Sequence, residues 1–438
     1  MAERKTIHFE REDVPLAAHF ADVDGVLHCD GVPLPRIAER FGTPTYVYAG
    51  RAIDEAYDAV DRSIAAVGAR EVLIAYAIKA NGNLAILKRL AERGCGADIV
   101  SGGELARALR AGIPAERIVF SGVGKRDEEI VAALDAGIRA VHVESEPEID
   151  AIAQLASQRD EVATIALRVN PNVNAVTHPY IATGLHDTKF GLELDVAERL
   201  LPAIRQSPHL RLEGVACHIG SQLETAAPLQ EAVAILVRFA QKCRDAGAPL
   251  RSVDVGGGWP MSYGCEAGAF PSPEAFCEAI AAGFSDAGAA PADYDLITEP
   301  GRALVGAAGV LLTRVVFVKH QGGRRFVIVD GAMTELIRPA LYEAYHAVRP
   351  VRAMTPSGRA DVVGPVCESG DFFALERPMG DVKRGDLVAL LGAGAYGREM
   401  AMTYNGRPAA AEVLCEGGEL REIRRRAPLE SLWAGEGL

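Results

Sequence analysis

A chain of 438 residues is too long for one small module and suits two or three domains at roughly 150 residues each, with cores large enough to need no disulfide or metal staples. Its 49% hydrophobic and 24% charged residues match an ordinary globular protein; 46 Lys and Arg against 59 Asp and Glu leave a net charge of −13, which disfavours nucleic acid as a partner. A local arginine pocket for an anionic small molecule stays open whatever the global sign.

The opening MAERKTIHFERED is charged and has no apolar centre, so no secretory leader is expected. No apolar run reaches the ~18 residues of a membrane span, and the expectation is a cytoplasmic protein without a membrane partner. FADVDGVLHCDGVPL reads as a β-hairpin that joins a later β domain. From about residue 44 to 300, short β-branched runs alternate with amphipathic helical stretches. The runs are VLIAYA (72–77), GADIV (96–100), RIVFSG (117–122), AVHVE (140–144), TIALRVN (164–170), LEGVACHI (212–219), SVDVGGG (252–258) and YDLITE (294–299). Helical segments such as NLAILKRLAERG, SGGELARALRAG and KRDEEIVAALDAG end in Gly, as a helix C-terminus prefers. Continuous apolar strands alternating with helices indicate a parallel sheet, and eight of them close a (β/α)8 TIM-type barrel, with an open doubly wound sheet as the competing reading. After residue 300 the period changes. GVLLTRVVFVKHQGGRRFVIVDGA reads as two long strands around a turn at Gln321-Gly322-Gly323, and the stretches beyond it continue without long helices. The expected division is an α/β barrel over 43–303 and a mostly antiparallel β domain from 1–42 plus 304–438. The eight cysteines never form CxxC, so neither a metal site nor a disulfide framework is expected.

Polar residues gather at the ends of the barrel strands. Lys79 follows the first; His218 and Ser221 follow the sixth; Gly256, Gly257 and Gly258 close the seventh; Glu299-Pro300-Gly301-Arg302 closes the eighth. Each alone has a plain structural reading: a surface lysine, a core histidine, a loop, an ion pair. Together they lie at the C-terminal face, where such barrels keep their active sites and often hold phosphate after strands seven and eight. A lysine beside a phosphate site suggests pyridoxal 5'-phosphate (PLP), whose aldehyde condenses with a lysine amine. Glu299 is then the carboxylate that keeps the pyridine nitrogen protonated, His218 the ring that stacks on it, and Arg302 a fork for a substrate carboxylate.

The ordered segments YAIKAN, HIGSQ, DVGGG, EPGR, IRPALY, CESGD and GAYG resemble the fold-type III PLP-dependent decarboxylases, and within them the diaminopimelate decarboxylase family. The block RVNPNVNAVTHPYIATGLHDTKFG belongs to the same resemblance, which runs from FGTPTYVY to YNGRPAAAEVL. It implies a barrel followed by a β domain, and decarboxylation of meso-diaminopimelate to L-lysine by a homodimer with shared active sites. It also implies that Lys79 holds PLP with His218 stacked on it. Asp98, Ser221, Gly257, Gly258, Pro300, Gly301, Arg302 and Tyr396 contact the cofactor, and Glu299 pairs with its ring nitrogen. Arg302, Arg338, Tyr342, Glu368 and Tyr396 bind the substrate. Cys367, from the partner subunit together with Glu368, returns a proton to Cα, for which a thiol suits because it is mostly protonated at neutral pH. The chain departs from the family in GGGWPMSYG, where a Leu-Gly-Ile-like continuation is common, and in DGAMTELIRP.

Three alternatives have their own features. Alanine racemases share the lysine-bearing strand but usually set an arginine at the pyridine nitrogen. Ornithine-type decarboxylases share His218, the glycines and EPGR, but their substrate ends in an ammonium alone, so the distal site needs an acid and no arginine; arginine- and carboxynorspermidine-type decarboxylases are further related alternatives. A PLP carrier without turnover lacks the β domain and a CESGD equivalent.

Overall fold

The computed structural model describes residues 19–174, 188–266 and 268–437. The opening thirteen residues and most of the 168–191 block named above lie outside them. Each β-branched run between residues 71 and 298 becomes a strand because its side chains are apolar on both faces, and a strand buried on both faces pairs in parallel. The eight strands are Glu71–Ala77, Gly96–Ile99, Ile118–Phe120, Ala140–Val143, Ala163–Arg168, Leu210–Ala216, Ser252–Asp254 and Asp295–Thr298. Each pairs in parallel with its sequence neighbour, and the eighth closes on the first through Asp295 opposite Glu71. The closed barrel excludes the open doubly wound sheet. Leu73, Ala75, Val119 and Ile297 form a buried cluster within it.

The connecting helices follow their local signals. Asn83 caps Leu84–Ala91 by accepting the Ala85 N–H, and Ser101 caps Gly102–Arg110 by accepting that of Glu104. Gly94, Gly112, Gly137 and Gly247 follow their helices at positive φ, the conformation that a side chain resists. Tyr57–Pro260 and Phe270–Gly301 make up this barrel unit.

The second unit comprises the described residues up to Ala56, Met261–Ala269 and the chain from Arg302 onward. Its central strand, Gly309–Gln321, pairs antiparallel with Arg324–Val329 across the turn at Gly322 and Gly323, and with Leu387–Leu390. The sheet is mostly antiparallel, with two parallel pairings: Arg324–Val329 on Gly358–Val363, and Thr45–Ala49 on Ala411–Glu416. Two findings differ from the expected boundaries. Thr45–Ala49 falls inside the range expected for the barrel, yet it pairs with Gly309–Gln321 in this sheet. Its five residues are all buried, so their composition resembles that of a barrel strand and hydropathy cannot separate them. Met261–Ala269 likewise belongs to this unit although only Trp259 and Pro260 separate it from the glycine triplet. At the start of the described chain, Phe20–Val23 and Val26–Cys29 form the expected hairpin, tied through Ala353 N–H to Gly25 O at 2.8 Å. Among the described residues, no helix is long and apolar enough to cross a membrane.

Candidate active site

Polar side chains interrupt otherwise apolar strands at their C-terminal ends, and in the barrel unit these interruptions converge. Lys79 sits on the 3-10 turn Ile78–Ala80 just past the first strand and forms an ion pair with Asp98, the third residue of the second strand. Asp98 is fully buried, and its other oxygen, Oδ1, has no hydrogen-bond partner among the described residues. Asp254 ends the seventh strand and accepts the Gly256 N–H at 2.8 Å through Oδ1, while its buried Oδ2 has no hydrogen-bond partner among the described residues. Glu299 follows the eighth strand. His142, in the fourth, lies 3.8 Å from Asp254 Oδ2 and 3.9 Å from Glu299 Oε1, and its Nδ1 lies 3.1 Å from Ser121 Oγ.

Three carboxylates thus share a small buried volume. Burial, then the nearby Asp254 and Asp98, push the Glu299 carboxyl well above the usual carboxylate range; burial and Asp98 likewise raise Asp254. Burial, followed by the charges of Lys125, Arg168 and Lys79, lowers His142 to about 3, so this ring is neutral at physiological pH. Arg168, the last residue of the fifth strand, ion-pairs with Glu144 at 2.8 Å, and Glu144 also accepts the N–H groups of Gly122 and Gly191.

Backbone proximity fixes the glycine triplet. A Cβ on Gly256 would lie 2.3 Å from Cys217 O, one on Gly257 2.4 Å from Glu299 O, and one on Gly258 2.8 Å from Gly220 O; Gly256 and Gly258 also hold φ of +72° and +91°. The Gly257 N–H donates to His218 Nδ1 at 3.1 Å, which orients the half-buried imidazole. Burial, with Arg168 and Lys79, holds that ring well below its ordinary pKa, so it too is neutral. Trp259 Nε1 donates to Thr298 Oγ1 at 2.8 Å, which in turn donates to Gly256 O at 3.0 Å, locking the loop to the eighth strand. Ser221 is half-buried in the loop after the sixth strand, and Pro300 O accepts the Ala77 N–H at 3.1 Å. Gly301 ends the barrel unit.

The remaining expected residues lie in the second unit. Arg302 opens the short helix Arg302–Val305, and Arg338 opens Arg338–Tyr342. Both are buried, and each donates through Nη1 to the Tyr263 hydroxyl, at 2.5 Å and 2.7 Å. Tyr396, at φ +54°, places its ring 4.8 Å from the Arg302 guanidinium, and Tyr342 is half-buried at the end of its helix. Cys367 and Glu368 are exposed in the loop between Gly358–Val363 and Phe372–Met379. The Cys367 N–H donates to Asn405 Oδ1 at 3.3 Å, and Glu368 Oε1 accepts from the Tyr404 hydroxyl at 2.5 Å; the hydrogen bonds of these two residues do not reach the Arg302–Tyr263–Arg338 group.

Sequence reasoning missed His142, Arg168, Asp254, Tyr263 and His346. The first three carried a readable signal: a charged or imidazole residue inside a continuously apolar strand. Tyr263 and His346 carried none, because both lie outside helix and strand where no period constrains them.

Residues 51–306 match the family described as pyridoxal-dependent decarboxylase, pyridoxal binding domain. The diaminopimelate decarboxylase of Neisseria meningitidis serogroup A is 46% identical over 411 residues, covering 94% of this chain and 98% of the relative. That of Aquifex aeolicus is 43% identical, covering 92% and 94%. The chain belongs to the diaminopimelate decarboxylase family. Solved members share the architecture. The diaminopimelate decarboxylase from Helicobacter pylori, complexed with L-lysine, matches at a TM-score of 0.86 and 40% identity over 92% of this chain and 98% of that one. The M. jannaschii diaminopimelate decarboxylase in co-complex with L-lysine matches at 0.91 and 35%, over 97% and 99%. The family's pyridoxal group fits the residues present. Lys79 offers the amine, and the clustered carboxyls, with buried oxygens on Asp98 and Asp254 that have no hydrogen-bond partner among the described residues, suit a cationic ring N–H. The glycine triplet brings bare backbone to the end of the barrel where phosphate is commonly held.

Proposed function

We propose that this chain catalyses PLP-dependent decarboxylation of meso-diaminopimelate to L-lysine and CO2, as a cytoplasmic homodimer whose sites are shared between subunits. When bound, PLP supplies an amine-reactive carbonyl and an electron-withdrawing ring, into which the electrons of the breaking Cα–carboxylate bond pass. Lys79 is the residue that holds it. Asp98, paired to Lys79, sets the position of the Nζ atom and keeps a counter-charge beside it. Glu299 holds a proton at its carboxyl, its pKa raised by burial and then by its acidic neighbours, that it can hand to a basic ring nitrogen, remaining as the paired anion. His218 presents a neutral ring for stacking, fixed by the Gly257 N–H. Ser221, Gly257, Gly258, Pro300, Gly301, the Arg302 backbone and Tyr396 hold the rest of the cofactor.

Diaminopimelate ends in a carboxylate and an ammonium. Arg302, Arg338 and Tyr342 take the carboxylate, and Glu368 the ammonium. Cys367 returns the proton to Cα. The exposure of Cys367 and Glu368 supports their service to a second subunit, since neither is spent on packing.

The observation that carries the reading is the Lys79–Asp98 pair, at the ends of adjacent strands in a barrel whose other strand ends supply Asp254 and Glu299. Borohydride reduction of the PLP-loaded protein, followed by peptide mapping, tests it. Label on Lys79, and loss of both label and turnover in Lys79→Ala, is the expected result. Label on another lysine with Lys79 unmodified overturns the assignment.

A further inference from the structure

Arg338 is a buried cation with unusual company. Among the described residues its hydrogen-bond partners are the Tyr263 hydroxyl at 2.7 Å and His346 Nε2 at 3.2 Å, and no carboxylate. His346 is an acceptor here, because its Nδ1 lies 2.9 Å from Leu391 O and must carry the ring proton. Burying a guanidinium against neutral groups is expensive, which suits a site awaiting an anion. Arg302 donates to the same phenol oxygen from 2.5 Å, so two like charges converge on one atom. That oxygen accepts from both, and burial of Tyr263 raises its pKa less than the two guanidinium groups lower it.

The sequence around Tyr263 is built to hold this ring still. The Glu266 carboxylate accepts the N–H groups of Tyr263, Gly264 and Cys265 and the Ser262 hydroxyl, closing a tight turn. The ring meets His346 edge-on, with centroids 5.4 Å apart, and lies against Gly392, where an added Cβ would come within 3.3 Å of it.

We propose that Tyr263 is a positioning residue for substrate recognition: its phenol oxygen holds the Arg302 and Arg338 guanidinium groups side by side, against their mutual repulsion, so that both can bind one carboxylate of the substrate. This rests on the reading that the two arginines take the distal carboxylate of diaminopimelate. The phenol oxygen does at rest what the carboxylate does on binding, and a pair already drawn together loses less freedom when the ligand arrives.

Tyr263→Phe removes the oxygen and keeps the ring. In the PLP-loaded enzyme, KM for meso-diaminopimelate should rise about tenfold with kcat within about threefold, the pattern of lost ground-state binding. Arg338→Ala should also raise KM at least tenfold, and adding Tyr263→Phe to it should change KM by less than about threefold, because a residue acting through the arginine has nothing left to organise. In the cofactor-free protein, the ultraviolet difference spectrum between wild type and Tyr263→Phe should show one phenol ionising below the free value of about 10, and Arg338→Ala should move it upward. An unchanged KM in Tyr263→Phe, or a full tenfold effect repeated in the Arg338→Ala background, overturns the proposal. If Arg338→Ala itself leaves KM unchanged, the carboxylate reading of the arginines falls and takes this proposal with it; if only Tyr263→Phe is silent, that reading stands alone.

Discussion

Glu299 is buried beside the carboxylates of Asp254 and Asp98, and its chemistry follows from that burial first and the crowding second. An acid that releases its proton reluctantly is suited to guarding a ring nitrogen, because it can supply the proton and then stabilise the resulting cation. Glu299→Gln keeps the shape and removes the acid. PLP should still load onto Lys79, whereas kcat should fall at least about a hundredfold, within the range for losing a positioned proton-transfer group. Absorbance of the loaded protein and steady-state kinetics check the two parts separately, and a variant that turns over normally would remove Glu299 from the role. His142 lies 3.9 Å from Glu299 Oε1 and 3.8 Å from Asp254 Oδ2. A polar residue in an apolar strand is a readable signal, but it points to a site only once its neighbours on other strands are known.

At the scale of elements, the barrel was legible and its accessories were less so. Runs such as VLIAYA and TIALRVN are apolar on both faces, and helix-ending glycines such as Gly112 and Gly137 mark where each strand–helix unit closes. Thr45–Ala49 has the same composition yet belongs to the other sheet, since the choice of partner strand depends on distant residues such as Gly309 and Leu312. Lys79, His218, Glu299 and the glycine triplet were legible because strand ends in a barrel share one face. Tyr263 and His346 were not, because loop geometry has no period to read. His346, with its ring proton toward Leu391 and its other nitrogen toward Arg338, also makes a prediction in pH. Burial, then the charge of Arg338, takes it from 6.5 to about 3 in the folded chain. Between those values the unfolded chain binds the extra proton, so stability falls as pH drops from 6.5 toward 3, and this contribution is flat above that window. A glutamine can keep both hydrogen bonds and does not titrate. His346→Gln should therefore lose less stability than wild type between pH 7 and pH 5, measured as the shift in urea midpoint; an equal or larger loss contradicts the assignment.

At the scale of the whole molecule, the barrel unit carries Lys79 and Glu299, while the other unit carries Arg338, Cys367 and Glu368. The proposed homodimer has Cys367 and Glu368 serve the site of the other subunit. Subunits inactivated by Lys79→Ala and by Cys367→Ala should then regain partial activity when mixed and allowed to exchange, since some heterodimers carry one intact composite site. Exchange without recovery would confine Cys367 to its own chain. Substrate choice is read from CO2 release and product identity when the PLP-loaded protein is given meso-diaminopimelate, L-ornithine, L-arginine and L-lysine in parallel. Meso-diaminopimelate should yield CO2 and L-lysine, at a kcat/KM at least about a hundredfold above the other three, as expected where buried guanidinium groups await a carboxylate that those amino acids lack at their far end. Equal or faster turnover of ornithine, arginine or lysine, or no CO2 from meso-diaminopimelate by protein with PLP bound to Lys79, would contradict this choice of substrate.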